Sequence, residues 1–313
     1  MRGASSSRVL VVFPGALGDL VCLVPTLRAL ARRHDAPPAL LCKGDLVSLI
    51  ETARLAEAEP IERRETSWLF STHPPPEAAA FFGAFSSVES FTGAGVPEVE
   101  RNLRRWTRGT ARVHAFRPSD PIHLAVHFLR SVGVERSGEE LPEARLEIPA
   151  AERAAVSRRW NPRRRPLLVL HPGSGGKGKR WSREGFESVA QRWVLRGGSL
   201  VVLLGSAEES EGDAWVAKGF EVARDLDAVT TAGLIAVADL YLGNDSGVSH
   251  LAAAVGARGV TLFGPTDPRR WQPLSKRMRV LTLDPWSAVD ETPPERAIRA
   301  VARALEAEST LTR

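Results

Sequence analysis

Residues 167–196 read LLVLHPGSGGKGKRWSREGFESVAQRWVLR. Positions 167–170 are apolar without polar alternation, which is what a strand buried on both faces requires. His171-Pro172-Gly173 ends that run, a glycine-rich stretch follows, and from about 182 to 196 the apolar spacing turns helical. The chain opens the same way. Val9-Leu10-Val11-Val12 is followed by the breakers Pro14-Gly15-Ala16-Leu17-Gly18 and a helical pattern from about 20 to 33. Two halves that each begin strand, glycine turn, helix predict two parallel sheets covered by helices.

The second half continues the alternation, with strands expected over 200–204, 240–242 and 259–263 and helices over 208–218, 228–238 and 248–255. The stretch 149–166, with three prolines and Arg163-Arg164-Arg165, reads as a linker around one or two helical turns. A final Ala-rich helix is expected over 294–306. The expected division is therefore 1–150, 151–293, and a terminal helix in 294–313 that packs back on the first half.

Composition sets the outer limits. The chain has 313 residues, room for about two domains, and 43% of them are apolar, enough for substantial cores. Net charge is +5 and the isoelectric point about 9.7, which suits an anionic ligand, nucleic acid or a membrane surface alike. Cys22 and Cys42 sit singly in apolar runs and give neither a disulfide framework nor metal-type spacing. The polar start 1–7 and the broken apolar run after it fit neither a signal peptide nor a membrane span, so a cytoplasmic protein is expected.

Ligands of open α/β sheets bind beyond the carboxyl ends of the strands. There the first half has Phe13-Pro14-Gly15-Ala16-Leu17-Gly18-Asp19. Gly15 and Gly18 allow a tight turn that exposes backbone N–H groups. Asp19 suits a helix cap and a proton-accepting carboxylate equally well. The second half has Gly173-Ser174-Gly175-Gly176-Lys177-Gly178-Lys179-Arg180-Trp181, close to an ATP-binding phosphate loop. Arg180 stands where that loop needs Ser or Thr for magnesium, so the ATPase reading fails. What survives is a glycine-rich loop with Lys177, Lys179 and Arg180 for phosphate. Glu209, in Gly205-Ser206-Ala207-Glu208-Glu209, suits ribose hydroxyls or a helix start. Gly243-Asn244-Asp245-Ser246-Gly247-Val248-Ser249-His250 puts donors and a carboxylate at a helix N-terminus, where a pyrophosphate and sugar hydroxyls can be held. Leu262-Phe263-Gly264-Pro265-Thr266-Asp267-Pro268 adds a polar loop on the same edge.

Together, Gly-Ala-Leu-Gly-Asp (15–19), His-Pro-Gly-Ser (171–174), Lys-Arg-Trp (179–181), Gly-Asn-Asp-Ser-Gly-Val-Ser-His (243–250) and Leu-Phe-Gly-Pro-Thr-Asp-Pro (262–268) resemble glycosyltransferase family 9, the ADP-heptose:lipopolysaccharide heptosyltransferases. The resemblance implies a GT-B fold, two doubly wound Rossmann-like domains facing across a cleft, with the acceptor in the first and the donor in the second. It implies an inverting heptosyltransferase of lipopolysaccharide biosynthesis, using ADP-heptose and a lipopolysaccharide-core or related glycan acceptor. Asp19 then resembles the general base, Lys179 the phosphate-binding lysine and Glu209 the ribose contact. Asp245, Ser246 and Gly247 fall on the donor sugar and diphosphate loop, with His250 and Thr266 beside it. Gly15, Gly18, Lys177 and Arg180 remain candidates for a phosphate or acceptor loop. No metal or other cofactor is implied, no nucleic acid is expected as a partner, and a peripheral contact with the inner membrane is compatible with the acceptor.

The resemblance thins over 43–117. Ser86-Ser87-Val88-Glu89-Ser90 stands where an apolar strand is expected. Arg101, Arg104, Arg105, Arg108 and Arg112 form a basic helical stripe, either solvated or facing anionic headgroups. His123 and His127 have the spacing of two metal ligands, and Asp225-Leu226-Asp227 imitates a metal-binding pair, but each is incomplete. Three other functions remain open on sequence grounds. They are an oxidoreductase, disfavoured by an incomplete dinucleotide turn, a sugar-nucleotide epimerase of the same fold, and a non-catalytic nucleotide-sugar binding protein.

Overall fold

The computed structural model describes residues 8–135, 140–160 and 165–310. The chain forms two compact units, Met1–Pro142 and Glu143–Arg313.

The first unit is a five-stranded parallel sheet of β1 (Val9–Val12), β2 (Ala39–Cys42), β3 (Glu57–Pro60), β4 (Ser87–Ser90) and β5 (Thr110–Val113), ordered β3-β2-β1-β4-β5. The winding reverses between β1 and β4, so their carboxyl ends frame the switch point where such sheets bind ligands. Leu10, Val12, Leu41 and Val88 share a core with Phe82, Leu103 and Trp106.

The polar strand over 87–90 has a direct explanation. All four β4 residues are buried, and the Glu89 carboxylate accepts from Arg112 Nη1 at 2.8 Å and pairs with His114 Nε2 at 2.7 Å. A carboxylate paired twice can occupy a central strand that would otherwise have to be apolar.

The second unit is a six-stranded parallel sheet of β6 (Leu167–His171), β7 (Ser199–Leu204), β8 (Glu221–Arg224), β9 (Leu240–Asn244), β10 (Gly259–Phe263) and β11 (Met278–Thr282), ordered β11-β10-β9-β6-β7-β8. Alternate residues feed two cores. Leu168, Leu170, Val202, Leu240 and Leu242 enter one, and Leu167, Val169, Val201 and Tyr241 the other. Here the winding reverses between β6 and β9.

Several expectations are corrected. The final helix, Glu295–Thr310, packs on the second unit, burying Ile298, Val301 and Leu305 with Leu200 and Trp193. The unit boundary falls before residue 143, because Leu146 N–H donates to Ala254 O at 2.8 Å. The expected linker contains the helix Ala150–Arg159, packed on the helix Ala228–Val237; Arg163 and Arg164 lie outside the described residues, as does 1–7. The basic stripe is interrupted, because the helix Pro97–Trp106 ends before Arg108 and Arg112 sits on β5. Arg101 and Arg104 pair with Glu98 and Glu100 of their own helix, while Leu103 and Trp106 are buried.

His123, His127 and Asp227 of the two metal-like pairs are engaged within the fold. His123 caps the helix Leu124–Ser131, and His127 Nε2 donates to Ala115 O at 2.7 Å. Asp227 caps the helix Ala228–Val237 through Thr230. Among the described residues no group of three or more His, Cys, Asp or Glu could hold a metal, and no helix is long and apolar enough to cross a membrane.

Candidate active site

In the second unit the loops after β6 and β9 meet across the switch point, and Asn244 fastens them together. Fully buried, it donates from Nδ2 to Pro172 O at 2.8 Å and accepts Trp181 N–H on Oδ1 at 3.1 Å. Ser249 Oγ donates to Asn244 O at 2.5 Å and accepts from the Tyr241 hydroxyl at 2.9 Å. This network fixes the N-terminus of the helix Gly247–Ala254, where Ser246 is the cap and accepts Ser249 N–H. The N–H groups of that first turn and the positive end of the helix dipole create a site for anionic oxygen.

Asp245 lies at that turn, 5% exposed. Its Oδ2 pairs with Lys179 Nζ at 2.9 Å and accepts from Thr266 Oγ1 at 2.8 Å. Its carbonyl accepts from Ser174 Oγ at 2.9 Å. Asp245, Lys179, Thr266 and Ser246 thus converge at one point from three loops. His250 is buried one turn further along the helix.

The other candidates separate from this cluster. Lys177 is exposed at the tip of the glycine-rich loop. Arg180 is buried, pairing with Glu211 and lying 3.9 Å from Glu208, so its charge is paired inside the unit. Glu209 is exposed on a 3₁₀ turn, Ser206–Glu211, while its neighbour Glu208 is buried. The sequence pattern predicts an α-helix from 208, and the tighter turn swaps which glutamate faces inward. A Cβ on Gly173 would lie 2.5 Å from Glu208 Oε2, so only glycine lets that carboxylate approach. Burial raises the Glu208 carboxyl above its usual range, against the opposing effect of Arg180.

His171 is fully buried at the end of β6 and its Nδ1–H donates to Leu203 O at 2.9 Å. Burial pushes its pKa down to about 4, and Arg180 adds to the effect, so the ring is neutral. Trp286, which the loop motifs do not reveal, donates from Nε1 to Gly178 O at 3.0 Å. Its indole covers Gly264, where a Cβ would meet Trp286 Cδ2 at 2.0 Å. That contact accounts for the glycine in the Phe263-Gly264-Pro265 turn.

In the first unit, Asp19 lies in the first turn of the helix Leu17–His34. The capping role is present, because Asp19 Oδ2 accepts Ala16 N–H at 3.3 Å. Gly15 leaves room for Phe13 and Asp19, since a Cβ there would lie 2.4 Å from the Phe13 ring and 2.7 Å from Asp19 Cβ. The partner the sequence does not disclose is Arg117. It holds both carboxylate oxygens, Nη1 to Oδ1 at 2.8 Å and Nη2 to Oδ2 at 3.3 Å. Ninety-eight positions separate the two, and the sheet order β1-β4-β5 brings them together.

The family model for glycosyltransferase family 9 (heptosyltransferase) matches residues 122–296, more than half of the chain. The chain belongs to glycosyltransferase family 9. The lipopolysaccharide heptosyltransferase 2 of Salmonella typhimurium is 30% identical over 294 residues, covering 87% of this chain and 80% of that one. Among solved structures, the ADP-heptose lipopolysaccharide heptosyltransferase II of E. coli matches with a TM-score of 0.75 at 19% identity, over 97% of this chain and 99% of that one. An E. coli heptosyltransferase bound to ADP matches with a TM-score of 0.68 at 19% identity, over 96% and 99%. The two parallel-sheet units are those of a GT-B glycosyltransferase.

Proposed function

We propose that this family 9 glycosyltransferase moves heptose from ADP-heptose, with inversion, to a hydroxyl of a lipopolysaccharide-core glycan. The observation that carries the donor side is the convergence of Lys179, Asp245 and Thr266 on the capped start of the helix Gly247–Ala254. Relatives bear the names of lipopolysaccharide heptosyltransferases, and one neighbouring structure holds ADP, which supports the choice of donor.

In this mechanism Asp19 takes the proton of the acceptor hydroxyl as its oxygen attacks the anomeric carbon. The bond from that carbon to the β-phosphate oxygen breaks on the opposite face, and ADP leaves with the electron pair. Its growing charge meets the Lys179 ammonium and the backbone N–H groups at Ser246-Gly247. Asp245, released from part of its pairing with Lys179, accepts from heptose hydroxyls. Glu209, exposed on its 3₁₀ turn, accepts from ribose hydroxyls once donor covers it, and His250 supports the helix start from within. Phosphate recognition by cations and a helix terminus gives the diphosphate a counter-charge without an obligatory metal. The acceptor's lipid character makes peripheral work at the cytoplasmic face of the inner membrane the natural setting.

The test is ADP release on mixing ADP-heptose with lipopolysaccharide-core acceptors, both heptose-free and already carrying one heptose. Asp19→Asn keeps shape and capping but cannot take the proton, so turnover falls by about a hundredfold or more while donor affinity holds. Retention of most turnover would reduce Asp19 to a helix cap.

A further inference from the structure

A carboxylate that takes a proton in flight must be held in one orientation. We infer that Arg117 is the positioning residue for Asp19, and that the segment carrying it, 114–117, is a strap tied down by Glu89. This inference rests on the proposed base.

Every residue of the strap is fastened by a different interaction. His114 N–H donates to Ser90 O at 2.7 Å, continuing the β4–β5 ladder, and its Nε2 pairs with the buried Glu89 carboxylate at 2.7 Å. The Ala115 carbonyl accepts from His127 Nε2 at 2.7 Å. The Phe116 ring packs against Phe13 and Phe128, with centroids 5.5 and 6.0 Å apart. Arg117 stacks over Phe116 at 4.6 Å and delivers its fork to Asp19. A stacked guanidinium with two parallel hydrogen bonds sets both the position and the rotation of a carboxylate, which a single ammonium does not.

The lone pairs show what this orientation achieves. An ionised carboxylate offers about four acceptor positions. Arg117 takes one on each oxygen and Ala16 N–H takes a second on Oδ2. The remaining position is on Oδ1, so the fork selects Oδ1 as the oxygen that receives the acceptor's proton. Glu89, the residue that makes β4 look wrong in sequence, is in this account the strap's anchor. Its side chain is 3% exposed and paired with Arg112 and His114, so it acts on the reaction only through the strap.

A double-mutant cycle on the full chain tests this, with ADP-heptose and whichever lipopolysaccharide-core acceptor, heptose-free or singly heptosylated, supports parental turnover. Arg117→Ala should lower kcat by about ten- to hundredfold, the scale of a misplaced catalytic group, while ADP-heptose affinity stays within about twofold. Arg117→Lys should fall between, and millimolar guanidinium should restore part of the Arg117→Ala loss. In an Asp19→Asn background, Arg117→Ala should cost nothing further, because the arginine acts through the carboxylate. Arg117→Ala with parental kcat, or a loss that persists in full in the Asp19→Asn background, overturns the positioning role. Parental turnover in Asp19→Asn alone overturns the base assignment and this inference with it. Should Arg117→Ala fail to fold, Arg117→Lys with its own Asp19→Asn cycle decides the same question.

Discussion

Asp245 is nearly inaccessible, and its carboxylate partners, Lys179 and Thr266, both come from other loops. A carboxylate placed this way ties three loops together. Asp245→Ala should therefore weaken ADP-heptose binding by about tenfold or more while leaving the fold intact, as a charged hydrogen-bond partner is lost at the site and not in the core. Unchanged affinity in a folded variant, measured by calorimetry, would remove Asp245 from the donor site. His171 makes a separate prediction about pH. Its folded pKa, about 4, lies below the 6.5 of the unfolded chain, so the unfolded state binds the extra proton between those values. Stability should fall as pH drops from about 6.5 to about 4, by about 3 kcal/mol in all. In His171→Gln, urea melts across that window should show a shallower slope, and an identical slope would mean His171 is not the group that charges. These roles differ in how far sequence reveals them. Asp245, Thr266 and Lys179 fall in contiguous polar motifs after apolar runs and are legible. Arg117 and Glu89 depend on a partner 98 or 25 residues away, and nothing local distinguishes them from a surface arginine or a misplaced strand residue.

Among the elements, strands buried on both faces were the easiest to read, because their apolar runs admit no other parallel-sheet arrangement. β1, β6 and β10 fall within a residue of expectation. β8 and β11 escaped because they are edge strands with half-exposed polar positions, as in Glu221-Val222-Ala223-Arg224. The turn at 206–211 escaped because two glutamates suit a 3₁₀ turn and an α-helix start alike. Trp286 links the glycine-rich loop to the turn after β10 through Gly178 O and Gly264. Gly264→Ala must displace the indole and break that hydrogen bond, which frees the loop carrying Lys179. Donor affinity should fall by about three- to tenfold, the cost of one net hydrogen bond. Parental affinity would show that the loop is ordered without Trp286.

At the scale of the whole molecule, each unit has its own sheet and core, and the segment from 143 is tied to the second unit through Leu146. A fragment 143–313 should unfold cooperatively on heating, and a fragment 151–313, lacking that tie, should melt lower. Equal melting temperatures would place the boundary nearer 150. In the proposed function the second unit holds a nucleotide-diphosphate sugar through Lys179 and a helix N-terminus. Calorimetric titration of the full chain with ADP-heptose, in parent and Lys179→Ala, each with and without EDTA, tests this. Binding should saturate, survive EDTA nearly intact and weaken by about 1.5–3 kcal/mol in Lys179→Ala, the range for a charged hydrogen bond. Equal affinity in the two proteins, or affinity that collapses in EDTA and returns with magnesium, would contradict it.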